Sequence, residues 1–517
     1  MESSRNITVF NEWNTAKDNF EDAAQKFLSA CTSLLQYIDE SLVSHANRRS
    51  IEDSIIAVHG QMKTFDLIES RMTKSKVTLR RVFNESTTLV PINTLPLEVM
   101  SHIFVLLVSY SNCTAEAPCY SHPLRNISTV CSRWRHLTVI TRSLWSHIDI
   151  CEPRTTSENS SKMISWVRLC LERACDTPLQ LHICQPSQNR NTGSEELLLS
   201  LLTPHMANVT SIKFSGSLSE GYFRAALSLY ANHRSTGRLE SLLVELKPTT
   251  GAGATHHLIW PTTSLHGIVD LQLIGLTNAR ISPGMNGLVA VLLNSPGLRT
   301  LRLRDVDITA NANYTYPQIS VPCLRFLELS LSHNQALSNL LSALVPGSHE
   351  LELLLELPTS ANDILPIQIT SFLRQANVVC FGLENSAPDV IQLAKYLDCM
   401  PRIKILGFDC SKDKSGASLN ALAVKTQGDQ IVPRCPSLRL LYLMEWEIDY
   451  GRRAQLERIF GYHHLSTIVL DDRVGTVRLA YEATLSYLHT WPRAGNVFFT
   501  RSQFSDFFGE RQWVPYL

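Results

Sequence analysis

Pro296-Gly297-Leu298-Arg299-Thr300-Leu301-Arg302-Leu303 is the stretch on which the fold turns. Leu301 and Leu303 alternate with polar neighbours, the period of a strand with one buried face. The phrase returns as Pro322-Cys323-Leu324-Arg325-Phe326-Leu327-Glu328-Leu329 and as Pro436-Ser437-Leu438-Arg439-Leu440-Leu441-Tyr442-Leu443, and Pro401-Arg402-Ile403 opens a fourth copy. Looser copies start at Leu179, Val209, Leu239, Ile268, Leu351, Val378 and Leu465. Successive starts are roughly 25–35 residues apart, a period that marks a repeat architecture. Helical stretches lie between them, such as 288–293, 337–344 and 390–397. One strand–helix unit cannot cover its own apolar face, so such units stack on a shared core.

This pattern resembles an irregular leucine-rich repeat. The resemblance implies an α/β solenoid over residues 151–473, with a protein substrate lying on the concave face of its strands. Side chains that alternate with the core leucines point to that face. They nominate Asp270, Gln272, Thr300, Arg302, Arg304, Phe326, Glu328, Tyr442 and Met444. Arg302 and Arg304 together suit an acidic or phosphorylated segment of the substrate.

Upstream, residues 89–150 read as two amphipathic helices with a short apolar tail. Pro96 suits the first position of a helix, and Glu98 suits the positive end of its dipole. Leu95, Val99, Met100, Ile103, Phe104, Leu107 and Val108 form one stripe. Ser109 to Ser121 reads as a loop. Leu124, Ile127, Val130, Cys131, Trp134 and Leu137 form a second stripe. So short a stretch buries little by itself, so these stripes require neighbours. Leu95-Pro96-Leu97-Glu98, Ile103-Phe104, Val130-Cys131-Ser132-Arg133-Trp134-Arg135 and Leu144-Trp145 resemble an F-box, in the F-box-like variant of fungal F-box and leucine-rich-repeat proteins. The segment between Phe104 and Val130 is longer than in a compact F-box. The resemblance implies an all-α module at 91–150 that docks on a Skp-type adaptor, and through it on a cullin. Leu95, Pro96, Ile103, Phe104, Val130 and Trp134 are the residues carried over to the adaptor face; which of them pack inside the module stays open. The implied role is substrate receptor of an SCF-type ubiquitin ligase. The alternative is a repeat scaffold with the helical pair as its cap, which would bury Ile103 and Phe104.

Residues 1–90 carry two seams of apolar residues at spacings of four and three: Phe20, Ala24, Phe27, Cys31, Leu34 and Ile38, then Ile51, Ile55, Val58, Met62, Phe65 and Met72. This is the pattern of a helical hairpin or of a coiled-coil dimerisation stalk. Residues 474–517 are rich in Trp and Phe, which fits a cap on the open end of the repeats or a substrate-binding tail.

Composition narrows the function classes. Of 517 residues, 44 % are hydrophobic and 18 % charged, and Lys plus Arg equals Asp plus Glu at 47 each. That balance gives no field to hold a phosphate backbone, so no nucleic-acid partner is expected. No apolar run is long enough to span a bilayer, and no membrane partner is expected. The opening residues lack a charged segment followed by an apolar core, so a secretory signal is not expected. Thirteen cysteines without paired spacing read as reduced thiols of a cytoplasmic or nuclear protein. His256-His257 and His463-His464 lack ligand spacing, and Cys113 and Cys119 have no second pair at zinc-site distance. Gly251 to Ala254 is too short to cradle a nucleotide, and Asp471-Asp472 reads as a turn. No catalytic residue, metal or cofactor is expected, so the chain is read as a non-catalytic subunit.

Overall fold

The structure is a computed structural model. It describes residues 2–471 except 44–47, 110–122, 152–156, 186–191, 217–219, 233–238, 247–259, 261, 263–264, 278–281, 311–313, 357–364, 385–389, 410–416, 423, 428–429, 445–458, 460–462 and 464, and then 496–500. The aromatic C-terminal stretch other than 496–500, Cys113, Cys119, the glycine-rich insertion, His256, His257, His464 and Asp472 lie outside the described residues.

The chain forms two units, 1–96 with 131–133, and 97–130 with 134–517. The first holds two long helices, α1 (Glu2–Val43) and α2 (Arg48–Glu85), and a 3-10 turn at Pro91–Thr94. Phe27 of α1 meets Phe65 of α2 with ring centroids 4.6 Å apart. Cys131–Arg133 is tied to the end of this unit: Ser132 Oγ donates to Glu85 at 2.5 Å, and Arg133 donates to the Asn93 carbonyl at 2.7 Å. The Ser132 hydroxyl, with Arg81, holds the Glu85 carboxyl below its usual range.

The second unit begins with α3 (Leu97–Ser109), α4 (Pro123–Val130) and the rest of α5 (Ser132–Ile140). One helix was expected where α4 and α5 stand. The helix breaks at Cys131, beside the residues that hydrogen-bond to Glu85 and Asn93. A strand then appears where the sequence suggested only an apolar tail: β1, His147–Cys151.

From there strands and helices alternate. The strands are β2 (Leu179–Gln185), β3 (Val209–Gly216), β4 (Ser241–Leu246), β5 (Asp270–Ile274), β6 (Thr300–Val306), β7 (Ile319–Val321), β8 (Phe326–Leu331), β9 (Leu344–Pro346), β10 (Leu351–Glu356), β11 (Val378–Glu384), β12 (Ile405–Asp409), β13 (Val424–Gln427), β14 (Gln430–Pro433), β15 (Leu440–Met444), β16 (Thr467–Asp471) and β17 (Asn496–Thr500). The helices are α6 (Ser157–Ala174), α7 (Thr192–Leu202), α8 (Glu220–Asn232), α9 (Met285–Leu293), α10 (Asn334–Ala343), α11 (Leu365–Gln375), α12 (Val390–Asp398) and α13 (Ala417–Asn420). Thirteen of the described strands make one sheet whose spatial order follows the chain, from β1 to β17, with β7–β9 and β13–β14 as separate pairs. Every pairing within the large sheet is parallel.

The register explains the core. Ile148, Leu181, Ile212, Leu242, Leu271, Leu301, Leu327 and Leu353 stand in one line across neighbouring strands, and Phe381, Leu406, Leu441 and Ile468 continue it. All of them are buried. Right-handed crossovers place the connecting helices on one side of a sheet ordered this way, and α9, α10 and α12 bury Leu288, Leu337 and Leu393. The alternate positions form the other face, where the nominated residues stand.

Candidate functional site

Helix α3 is apolar on more than one side. Met100, Phe104 and Val108 recur at every fourth residue and are buried. The Phe104 ring packs on Trp134 of α5, centroids 4.9 Å apart at 57°. Leu124 and Ile127 of α4, Leu137 of α5, and Leu144 and Trp145 in the following 3-10 turn complete this core. Trp145 donates its indole N–H to the Thr138 carbonyl at 2.6 Å and carries the Arg173 guanidinium over its face at 4.6 Å.

A second stripe on α3 faces water. Val99 and Leu106 are seven residues apart with half-buried Ile103 between them, and Leu107 flanks the line. Val99, Leu106 and Leu107 are 43–51 % exposed. Val130 at the end of α4, and Val139 and Ile140 at the end of α5, are exposed as well. These exposed apolar side chains make α3 to α5 the candidate partner surface. Of the six residues assigned to the adaptor face, Pro96 and Val130 are exposed, Leu95, Ile103 and Trp134 are half-buried, and Phe104 is buried. Phe104 is therefore an interior residue of the module. Val99 and Leu107 are surface residues that the sequence left on one stripe with it, and Leu106 is an exposed residue outside that stripe.

The nominated substrate residues fall on one face of the sheet and in two environments. Asp270, Gln272, Thr300, Arg302 and Arg304 on β5 and β6 are half-buried. Arg302 and Arg304 both pair with Glu328 of β8, at 2.6 and 2.5 Å, and Arg302 also lies over the Phe326 ring at 5.2 Å. Glu328 is buried, so the arginine pair is partly neutralised by the protein itself. Further along, Leu354, Cys380, Leu440 and Tyr442 form a buried cluster on the same face, packed with Phe326 and Ile405. Tyr442 is fully buried, and its in-register neighbours Gly407 and Gly382 carry no side chain beside the ring. Tyr442 thus belongs to a closed apolar section of this face. Met444 ends β15, and its side chain lies outside the described residues.

Sequence reasoning missed one constellation. His182 on β2 lies 2.9 Å from Asp149 of β1 through Nδ1 and 2.7 Å from Ser215 Oγ of β3 through Nε2. Asp149 and His182 are in register, and both stand on the polar face. The order Asp, His, Ser has the hydrogen-bond pattern of a nucleophilic triad. All three residues are buried, and their hydrogen bonds form a polar brace across three strands. His147 adds a second imidazole 3.4 Å from Asp149. Burial pulls the His147 pKa down, but the hydrogen bond and charge of Asp149 outweigh it and hold the pKa above the usual imidazole value. Burial pushes the nearby Cys170 thiol up to about 12, with Asp149 adding to the effect, so it is no thiolate nucleophile at neutral pH. His463 is buried between the Cys435 and Leu422 carbonyls. Among the described residues, no three His, Cys, Asp or Glu side chains are placed to hold a metal ion, and no helix is long and apolar enough to cross a membrane.

With this geometry in hand, the comparison with protein families is specific. Residues 92–151 match the family model described as F-box-like. The match runs from the 3-10 turn before α3 through β1, so an F-box-like domain occupies this stretch. A search of curated proteins finds no match to the chain.

Proposed function

We propose that the chain is a substrate receptor of an SCF-type ubiquitin ligase, docking on a Skp-type adaptor through its F-box-like domain and binding a protein substrate elsewhere on the chain. The observation that carries this reading is the coincidence of the F-box-like match with exposed Val99, Leu106 and Leu107 on α3, beside half-buried Ile103. F-box-like domains generally bind such adaptors, and an apolar stripe backed by a packed core is what a protein partner covers. The adaptor would link the chain to a cullin. The reaction would then proceed by proximity: a bound substrate is held at high effective concentration near a charged conjugating enzyme, and no side chain of this chain does covalent work. Compartments holding this machinery are the cytoplasm and the nucleus, where unpaired cysteines stay reduced.

For the substrate, the open part of the sheet face on β5 and β6 is the better candidate surface, with Asp270, Gln272, Thr300, Arg302 and Arg304. Stacking of strand–helix units in chain order supports reading this region as irregular leucine-rich repeats. Because Glu328 already neutralises part of the arginine pair, an acidic segment would have to compete with it, and a mixed polar partner fits better. The alternative is a protein-interaction scaffold without a ligase role.

Co-purification of the full chain with a Skp-type adaptor tests the proposal. The comparison is with Val99→Asp plus Leu106→Asp, two exposed positions, with circular dichroism to check that the variant folds. Capture by the wild type and its loss in the folded variant is the expected outcome. A folded wild type that captures no adaptor leaves the scaffold reading and removes the ligase role.

A further inference from the structure

We infer that the hairpin of α1 and α2 is a homodimerisation element, in which the two helices of one chain pair with those of a second copy to close a four-helix core. The hairpin does not close its own core. On α1, the positions Phe10, Trp13, Lys17, Phe20, Ala24, Phe27, Cys31, Leu34 and Ile38 keep the three-and-four spacing without a break. On α2, the same spacing runs through Ile55, Val58, Met62, Phe65, Glu69, Met72, Lys76, Leu79 and Phe83. Such a seam is stable when it faces one or more partner helices that cover it.

The two seams are only partly covered. Although Phe27 touches Phe65, the six rings of Phe10, Trp13, Phe20, Phe27, Phe65 and Phe83 remain 37–62 % exposed. Ala24, Cys31, Leu34 and Ile38 are half-buried. A ring that hides 150–250 Å² when fully covered leaves roughly 100 Å² open here, so six rings give about 600 Å². With Ile55, Val58, Met62, Met72 and Leu79, the apolar area passes the roughly 800 Å² per side of a standard stable interface. Isolated surface leucines need no explanation, but a continuous band on two long helices does.

Charge selects the occupant. Helix α1 has seven carboxylate and three cationic side chains, whereas α2 has eight cationic and five carboxylate ones. A two-fold arrangement in which the α1 of each chain lies against the α2 of the other pairs the acidic helix with the basic one twice, whereas α1 on α1 would set like charges together. The helices are close in length, 42 and 38 residues, so their seams run side by side to the end. A second copy therefore matches in hydrophobic period, charge and length. The inference stands apart from adaptor docking, which uses α3 to α5.

The test is the mass of the full chain by light scattering at micromolar concentration. A value twice the 58.1 kDa chain mass is expected, and a monomer overturns the inference. Two charge-reversed chains then separate pairing from misfolding. One carries Asp18→Lys, Glu21→Lys and Asp22→Lys on α1, and the other carries Arg71→Glu, Lys74→Glu and Lys76→Glu on α2. Each alone is expected to dimerise at least tenfold more weakly, and the differently tagged pair to form a mixed dimer when combined. Failure of the mixture to pair, or dimers indifferent to both sets, overturns the inference.

Discussion

Phe104 and Leu106 lie two positions apart on α3 and meet opposite fates, one packed on Trp134 and the other in water. Phe104→Ala empties an interior site and is expected to cost about 3–5 kcal/mol, seen as a lowered denaturant midpoint. Leu106→Asp is expected to shift the midpoint by no more than about 0.5 kcal/mol, since the position is exposed. In the brace between strands, His182→Ala removes the hydrogen bonds to Asp149 and Ser215 together. Its expected cost is about 1–3 kcal/mol, the range for stranding buried polar groups; a midpoint equal to wild type would mean the brace contributes nothing. The raised pKa of His147 has a definite sign. The folded state binds this proton more tightly than the unfolded chain, so its contribution is complete below the ordinary imidazole value of about 6.5. It disappears as pH rises through the folded-state value. Denaturant titrations of wild type and His147→Gln should therefore differ most in mild acid and converge as pH rises through the folded-state value. A gap that widens with pH would reverse the assignment.

At the scale of elements, the strands were legible. Each of the eleven repeat starts read from the sequence falls on the first residue of a strand or two before it, as at Leu179, Leu298 and Leu465. Alternation of period two is a local signal and needs no partner to be seen. The break between α4 and α5 was not legible, because the bonds at Cys131–Arg133 come from Glu85 and Asn93, distant in sequence. Strand β1 was missed for a related reason: its polar residues His147 and Asp149 look solvent-facing until β2 brings Gln180 and His182 beside them. The end of β5 supplies a further prediction. Gly275 adopts φ +71°, and a Cβ there would run into the Leu246 carbonyl at the end of β4. Gly275→Ala should cost at least about 1–3 kcal/mol, read as a lowered thermal midpoint. A neutral result would show that these strand ends separate freely.

At the scale of the whole molecule, protection from hydrogen exchange should be uneven. Central strands such as β6 and β8 bury every inward leucine, while α1 and α2 leave their seams half open. Amides of the sheet are expected to exchange slowest. Those of α1 and α2 are expected to gain protection as protein concentration rises, because pairing with a second copy is a mass-action effect. Exchange in the helices that is independent of concentration would argue for a hairpin that stays single.

The sequence by itself determined the alternation of strands and helices, the heptad lines of the two long helices and the F-box-like stretch at 92–151, all of them carried by local spacing and residue type. Tertiary structure alone decided which apolar residues are surface and which are core. Periodicity places Ile103, Phe104 and Leu107 on one stripe, yet tertiary packing, with Trp134 against the Phe104 ring, separates the buried ring from half-buried Ile103 and exposed Leu107. It also closed the sheet face around Tyr442 and turned Arg302 and Arg304 toward Glu328. Burial and ion pairing depend on residues from other strands, and a single strand's pattern does not contain them.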